Sequence, residues 1–203
     1  HLNLVLRAVR DVNQLIVRER DPERLVERTC ETLTETRGYA HAWVALFDGA
    51  GHCRTASQAG FAQPFEYLTE RLKGDDPPTC AKRALSASGA ILVEDPLTVC
   101  GDCPLREDYG GRAVMTARLE HEGTVHGLLS VSLPSHLAGR EEERILIEEI
   151  AGDIAYALHG IGRERARERA EAALHEMTSK LQAFLDNSPA LMSVFDKDGR
   201  YQL

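Results

Sequence analysis

Ala113-Val114-Met115-Thr116-Ala117-Arg118-Leu119 and Val125-His126-Gly127-Leu128-Leu129-Ser130-Val131-Ser132-Leu133, joined at Glu122-Gly123, decide how the rest of the chain is read. Both runs are apolar and carry β-formers, and the Glu-Gly pair between them is a turn signal, so they form an antiparallel hairpin. Towards the N-terminus, His41-Ala42-Trp43-Val44-Ala45-Leu46-Phe47 is a third such run. Asp48-Gly49-Ala50-Gly51 ends it as a hairpin turn would, which predicts a returning strand from about His52 to Gln58. Ala90-Ile91-Leu92-Val93 is a short buried strand by length and composition. The strands therefore describe an antiparallel sheet built from two hairpins.

Helices fill the intervals. Leu2, Leu4, Val5, Leu6, Val9, Val12, Leu15 and Ile16 recur mostly three and four apart, the mark of an amphipathic helix. Asp21-Pro22-Glu23 supplies an N-cap, a first-turn proline and a first-turn acid, and Leu25, Val26, Cys30 and Leu33 carry a second helix towards Gly38. Phe65 to Leu72 reads as helical, and Pro77-Pro78-Thr79 opens another helix that Gly89 ends. Asp95 to Gly111 holds Pro96, Gly101, Pro104, Gly110 and Gly111, and is predicted to be a structured loop.

From about Arg140 to Leu185 there is no proline. Ile147, Ile150, Ile154, Leu158 and Ile161 form one apolar seam, and Leu174, Met177, Leu181 and Phe184/Leu185 form another. An Arg/Glu/Ala block, Arg163 to Ala173, lies between them and suits a solvated helix or a two-stranded coiled coil. A continuous helix here would run roughly 65 to 70 Å at ~1.5 Å per residue, more than a small domain can cover, so a twin helix is expected.

Composition narrows the function. The 203 residues hold 24 basic and 32 acidic side chains, a formal net charge of −8, which disfavours nucleic acid and anionic membrane surfaces as partners. No stretch approaches the ~18 to 20 apolar residues of a membrane span, and no secretory signal opens the chain, so a cytoplasmic module is expected. A start at His1 and a stop at Leu203 read as a piece of a longer polypeptide. No nucleotide-binding loop, HExxH, G-x-S-x-G or kinase glycine loop is found, and no catalysis is expected.

Five cysteines, Cys30, Cys53, Cys80, Cys100 and Cys103, make a disulfide framework an unlikely use of an odd set without an export signal. Cys100-Gly101-Asp102-Cys103-Pro104 is a C-x-x-C on a turn-rich loop, and Cys80 opens the helix before it. Such a pair can bring two thiolates to one metal at ~2.3 Å, with Cys80 as a third ligand and Cys53, His52 or His121 as a fourth. Zinc, an iron–sulfur cluster, a redox pair and plain packing all remain open at this point. Cys30 falls on the apolar face of the second helix and reads as core. His175-Glu176 on the long helix lacks the residues that follow a phosphoacceptor histidine and reads as a solvated helix position.

This order of elements, with Ala8-Val9-Arg10-Asp11-Val12-Asn13-Gln14-Leu15-Ile16, Thr36-Arg37-Gly38-Tyr39, Trp43-Val44 and Gly123-Thr124-Val125-His126-Gly127-Leu128-Leu129-Ser130-Val131, resembles GAF domains of bacterial sensor histidine kinases. Leu185 to Leu191 with Val194 to Tyr201 resembles the start of a PAS domain. The resemblance implies an α/β (α+β) fold with an antiparallel sheet flanked by helices over 2–139, a long signalling helix over 140–185, and a truncated PAS start over 186–203. It implies a small-molecule or cofactor pocket on one sheet face, for which Trp43, Cys80, Tyr109 and Met115 are the candidates. It also implies a homodimer through the terminal helices, relaying the state of that pocket to an output domain. The cyclic-nucleotide and bilin signatures of other members are missing. A thiol-based metal or redox sensor using Cys53, Cys80, Cys100 and Cys103, and a dimerisation module without ligand, are the alternatives.

Overall fold

The computed structural model describes residues 2–62, 65–74, 77–101 and 103–187, and the backbone of 194–195 and 201–202; of 2–6 only the backbone is described. Asp102 and most of the expected PAS start lie outside the described residues. The chain divides into two units, residues 1–161 and 162–203.

The first unit opens with α1 (Leu2–Arg18) and α2 (Pro22–Thr32). Asp21 caps α2, its carboxylate accepting from the backbone N–H groups of Glu23 and Arg24 at 3.0 and 3.1 Å, with Pro22 in the first turn. The helix does not continue regularly to Gly38 as the spacing predicts: Leu33–Arg37 winds as a π-turn, and Gly38 ends it at φ +76°. The wider turn brings Arg37 inward, where its guanidinium pairs with Glu143. Tyr39 donates to the second Glu143 oxygen at 2.8 Å, and all three side chains are buried.

β1 (His41–Phe47) and β2 (Cys53–Ala59) form the first hairpin. Asp48 closes its turn by accepting from the N–H groups of Ala50 and His52, both at 2.9 Å. Two helices follow, α3 (Glu66–Lys73) and α4 (Thr79–Ser86), then β3 (Ile91–Val93). The loop expected over 95–111 contains a short α5 (Pro96–Val99), capped by Asp95 through the Leu97 N–H at 3.1 Å. β4 (Ala113–His121) and β5 (Thr124–Leu133) form the second hairpin. Its two-residue turn, Glu122 at φ +49° and Gly123 at φ +74°, has the left-handed geometry that matches strand twist. The sheet order is β2-β1-β5-β4-β3 and every pairing is antiparallel. At Gly127 a Cβ would collide with the Ala45 carbonyl, so only glycine lets β5 lie beside β1 here.

Each strand sends alternate residues to opposite faces. Ala42, Val44 and Leu46 of β1, Met115, Ala117 and Leu119 of β4, and Leu129 and Val131 of β5 meet α1, α2 and the start of α6 (Glu141–Asp186) in one aliphatic core. Trp43, Ala45, Val114 and Leu128 point the other way, into a second core under α3, α4 and the 96–111 segment. Fold class and architecture are those expected.

In the second unit α6 continues to Asp186 with its side chains exposed, Leu174, Met177, Leu181 and Phe184 among them. β6 (Val194–Phe195) pairs antiparallel with β7 (Tyr201–Gln202). Among the described residues no helix is long and apolar enough to cross a membrane.

Candidate functional site

The second core differs in chemistry from the first. Its floor is the sheet face that carries Trp43, with Ser130 directly opposite on β5 and Thr116 beyond it on β4. The Thr116 and Ser130 hydroxyls are buried and bonded to each other at 2.9 Å. Its walls are aromatic: Phe61 stands 5.8 Å from Tyr109 and 6.0 Å from Phe65, and Phe65 stands 6.2 Å from Trp43. Trp43 Nε1 donates to the Tyr109 hydroxyl at 3.3 Å. Tyr109 is held in place by the turns around it, with Gly110 N bonded to the Glu107 carbonyl at 3.2 Å and Arg112 N to the Tyr109 carbonyl at 3.0 Å. Burial, and then the neighbouring thiols, push the Tyr109 pKa well above the usual range, so it stays a neutral phenol with a proton to donate.

Three thiols stand beside that phenol. Cys80, in the first turn of α4, is hydrogen-bonded to Cys100 and Cys103. Cys100 follows α5, and Cys103 N closes a turn on the Cys100 carbonyl at 3.1 Å, which brings both members of the C-x-x-C to the same side. All three are buried. The mutual hydrogen bonds, followed by burial and the charges the neighbours would carry, push Cys80 strongly upward, so the thiol form prevails there.

Two clefts reach this core from outside. One, about 480 Å³, runs between β2 and α3 past Gln58, Phe61, Phe65 and Lys73. The other, about 450 Å³, lies between α3 and the C-x-x-C segment, where Tyr67, Arg71, Gly101 and Arg106 surround Cys103.

Of the predicted site residues, Trp43, Cys80, Tyr109, Cys100 and Cys103 are thus brought together. Met115 is not: it lies in the aliphatic core across the sheet, because it alternates with Val114, the β4 residue that faces Trp43's side. Cys53 shares the second core, but its Sγ donates to the Thr55 carbonyl at 3.6 Å and burial raises its pKa, with Lys73 opposing. His52 is exposed beside Asp48 in the first hairpin turn. His121 sits at the tip of the second hairpin, its ring 5.1 Å from His159 and 5.2 Å from Tyr156 of α6. Cys30 is core, its Sγ donating to the Ser57 carbonyl at 3.6 Å, and burial raises its pKa. His175 is exposed on α6. Sequence reasoning did not find Phe61, Phe65, Thr116 and Ser130, or the arginines at the second cleft. The hydroxyls had a signal, since Thr116 and Ser130 are polar residues set among the buried apolar ones of β4 and β5.

Comparison with known proteins agrees with this architecture. A family model described as GAF domain matches residues 19–159, well over half of the chain. No curated protein matches it. Among solved structures, a free methionine-R-sulfoxide reductase from Neisseria meningitidis in complex with its substrate is similar at TM-score 0.60 and 17% identity, over 79% of this chain and 91% of that one. The GAF domain of a phosphoenolpyruvate-protein phosphotransferase from Coxiella burnetii is similar at TM-score 0.57 and 18% identity, over 83% and 96%. The substrate complex of a free methionine-R-sulfoxide reductase from Staphylococcus aureus is similar at TM-score 0.59 and 13% identity, over 76% and 95%. At these identities the likeness is one of fold.

Proposed function

Since the chain belongs to the GAF domain family, whose members are sensory and regulatory signalling domains that often bind small ligands, we propose that it is the non-catalytic input module of a bacterial signal-transduction protein. The observation that carries this reading is the contrast across the sheet. One face is sealed by aliphatic packing, while the other holds a phenol, an indole and three thiols beneath short helices and turns, with clefts leading in.

Occupancy of the face would bias one arrangement of the 95–111 cover over another. The cover runs straight into β4, and the far side of β4 packs in the same core as Ile147, Ile150 and Ile154 of α6. A shift of the cover therefore reaches the helix through one strand. We take α6 to pair with its twin in a second copy along Leu174, Met177, Leu181 and Phe184, exposed residues three or four apart. The output in this reading is a cytoplasmic sensor histidine kinase, entered through a PAS domain that begins after Asp186.

Sedimentation of the 203-residue chain tests the relay. The native chain is expected to be a dimer, and Leu174→Glu/Met177→Glu/Leu181→Glu a monomer with unchanged near-ultraviolet circular dichroism from Trp43. A native chain that stays monomeric at high micromolar concentration contradicts the relay. A thiol-dependent reductase is favoured by one observation, the convergent thiols in a fold shared with two sulfoxide reductases. Against it, a thiol held protonated is a poor nucleophile. Turnover of free methionine sulfoxide with a dithiol reductant would replace the regulatory reading with that one.

A further inference from the structure

We infer that His121 and His126 of the β4–β5 hairpin and His159 of α6 form a proton-operated clasp, closed when the rings are neutral and opened by acid. The inference goes beyond the ligand reading, since it gives α6 a second input that does not pass through the 95–111 cover.

Three observations carry it. First, the rings are neighbours: the centroid of His159 stands 5.1 Å from that of His121 and 5.7 Å from that of His126. Tyr156, one turn earlier on α6, closes the group at 5.2 Å from His121. Second, the backbone delivers His126 to this place. Glu120 pairs with Val125 and Leu119 with Gly127, so His126 is the extra residue of a β-bulge, a device that re-aims a side chain. Strict alternation would set it beside Leu128 in the second core, and its ring lies instead by His159 of α6. Third, Nε2 of His126 is buried and has no hydrogen-bond partner among the described residues. A neutral ring can keep its unshared pair there. An imidazolium carries an N–H on both nitrogens, and one of them would then be buried without an acceptor.

The charges around the group set the direction. The hairpin turn contributes Glu122, whose Oε2 lies 3.6 Å from His159 Nε2. Glu120 on β4 is engaged by Arg118, and β1 brings the apolar Leu46 beside Gly127. On α6, Arg163 follows one turn beyond His159 and adds a positive charge rather than a counter-ion. Glu122 balances one imidazolium, so further protons meet like charge among half-buried rings, where water screens it less. Burial, followed by His159 and His121, accordingly lowers the pKa of His126. Separated rings escape these penalties and bind protons more tightly than clasped ones, so acid draws the clasp open by linkage. Its position gives this a consequence. His159 lies two residues before Ile161, the last residue of the first unit, so the hairpin tip holds the final turn of α6 that packs on the domain. Among the described residues no three His, Cys, Asp or Glu side chains are placed to hold a metal ion, so protons are the charge this group exchanges.

The test is an NMR titration of the full chain, with labelled amides and histidine rings, from about pH 7.5 to about pH 5. The three rings should titrate in step with shifts of the amides of residues 119–127 and 155–161, while the amides of α2 stay in place. His126 should titrate below the roughly 6.5 of a free histidine. His126→Phe keeps a ring in the clasp that cannot take a proton, and should reduce the acid shift of amides 155–161. His159→Phe removes a like charge and should raise the midpoint of His126. Glu122→Gln removes the carboxylate beside His159 and should move opening to higher pH. Near-ultraviolet circular dichroism from Trp43 at neutral pH checks the fold of each variant, and the native titration decides the inference where a variant does not fold. Rings that titrate while amides 155–161 stay in place, or an amide shift that survives unchanged in His126→Phe, overturn it.

Discussion

The two sides of one sheet have been put to different uses. On the side facing α1, α2 and α6 the side chains are largely aliphatic, and a buried ion pair, Arg37 with Glu143, is bonded to Tyr39. On the other side the sheet presents Trp43, Thr116 and Ser130 to a cover of short helices and turns that carries Tyr109 and three thiols. The lesson is that regular packing and chemical variety have been separated by strand alternation alone. Adjacent residues such as Val114 and Met115 belong to different cores. A scaffold built that way lets one face change state while the other keeps its shape.

The sharpest way to break the scaffold side is to remove one member of its ion pair. Arg37→Ala leaves the Glu143 carboxylate buried without the guanidinium that pairs with it, and a loss of about 3–5 kcal/mol is expected. Urea unfolding at unchanged slope should show it as a lower midpoint. On the other face, Tyr109→Phe removes the acceptor of the Trp43 N–H in a buried setting and should cost about 1–3 kcal/mol. Its signature is local, a change in Trp43 fluorescence that Arg37→Ala does not cause before unfolding. Asp21→Ala deletes the cap of α2 and should cost about 1 kcal/mol with no effect on Trp43.

Acid should act mildly on both sides. Burial, followed by Arg112, lowers the pKa of His41, which Asp108 partly opposes, and burial, followed by His159 and His121, lowers that of His126. Both folded-state values lie below the unfolded value of roughly 6.5, so the unfolded chain takes up these protons first. Stability is then level above that pH and declines below it, until the folded histidines also protonate. A thermal midpoint that rises between about pH 6.5 and pH 5.5 would contradict this sign.

Much of the scaffold was legible because its signals are local. Apolar runs with turn pairs marked both hairpins, and Asp21-Pro22 marked the start of α2. The π-turn over Leu33–Arg37 was not legible, since the partner that Arg37 meets at its end, Glu143, lies more than a hundred residues away. Met115 could not be assigned a face from sequence: Ala113, Val114 and Met115 are all apolar, and a strand buried on both sides has no alternation to read. In the site, the C-x-x-C spacing and the place of Cys80 at the start of the preceding helix already grouped the three thiols, and the fold sets them in one core with Tyr109. Cys53 and His121 were equally eligible by residue type, and only the three-dimensional placement separates them from the trio. Phe61 and Phe65 escaped notice because isolated aromatics in a loop and a short helix carry no period.

The central claim is that the face under the 96–111 cover responds while the aliphatic face holds its shape. Amide hydrogen exchange on the native full chain addresses it most directly. Exchange in α4 and over residues 96–111 is expected to be faster than in β1 and α2. Exchange in that cover as slow as in β1 and α2, or the fastest exchange on the α2 side of the sheet, would contradict it.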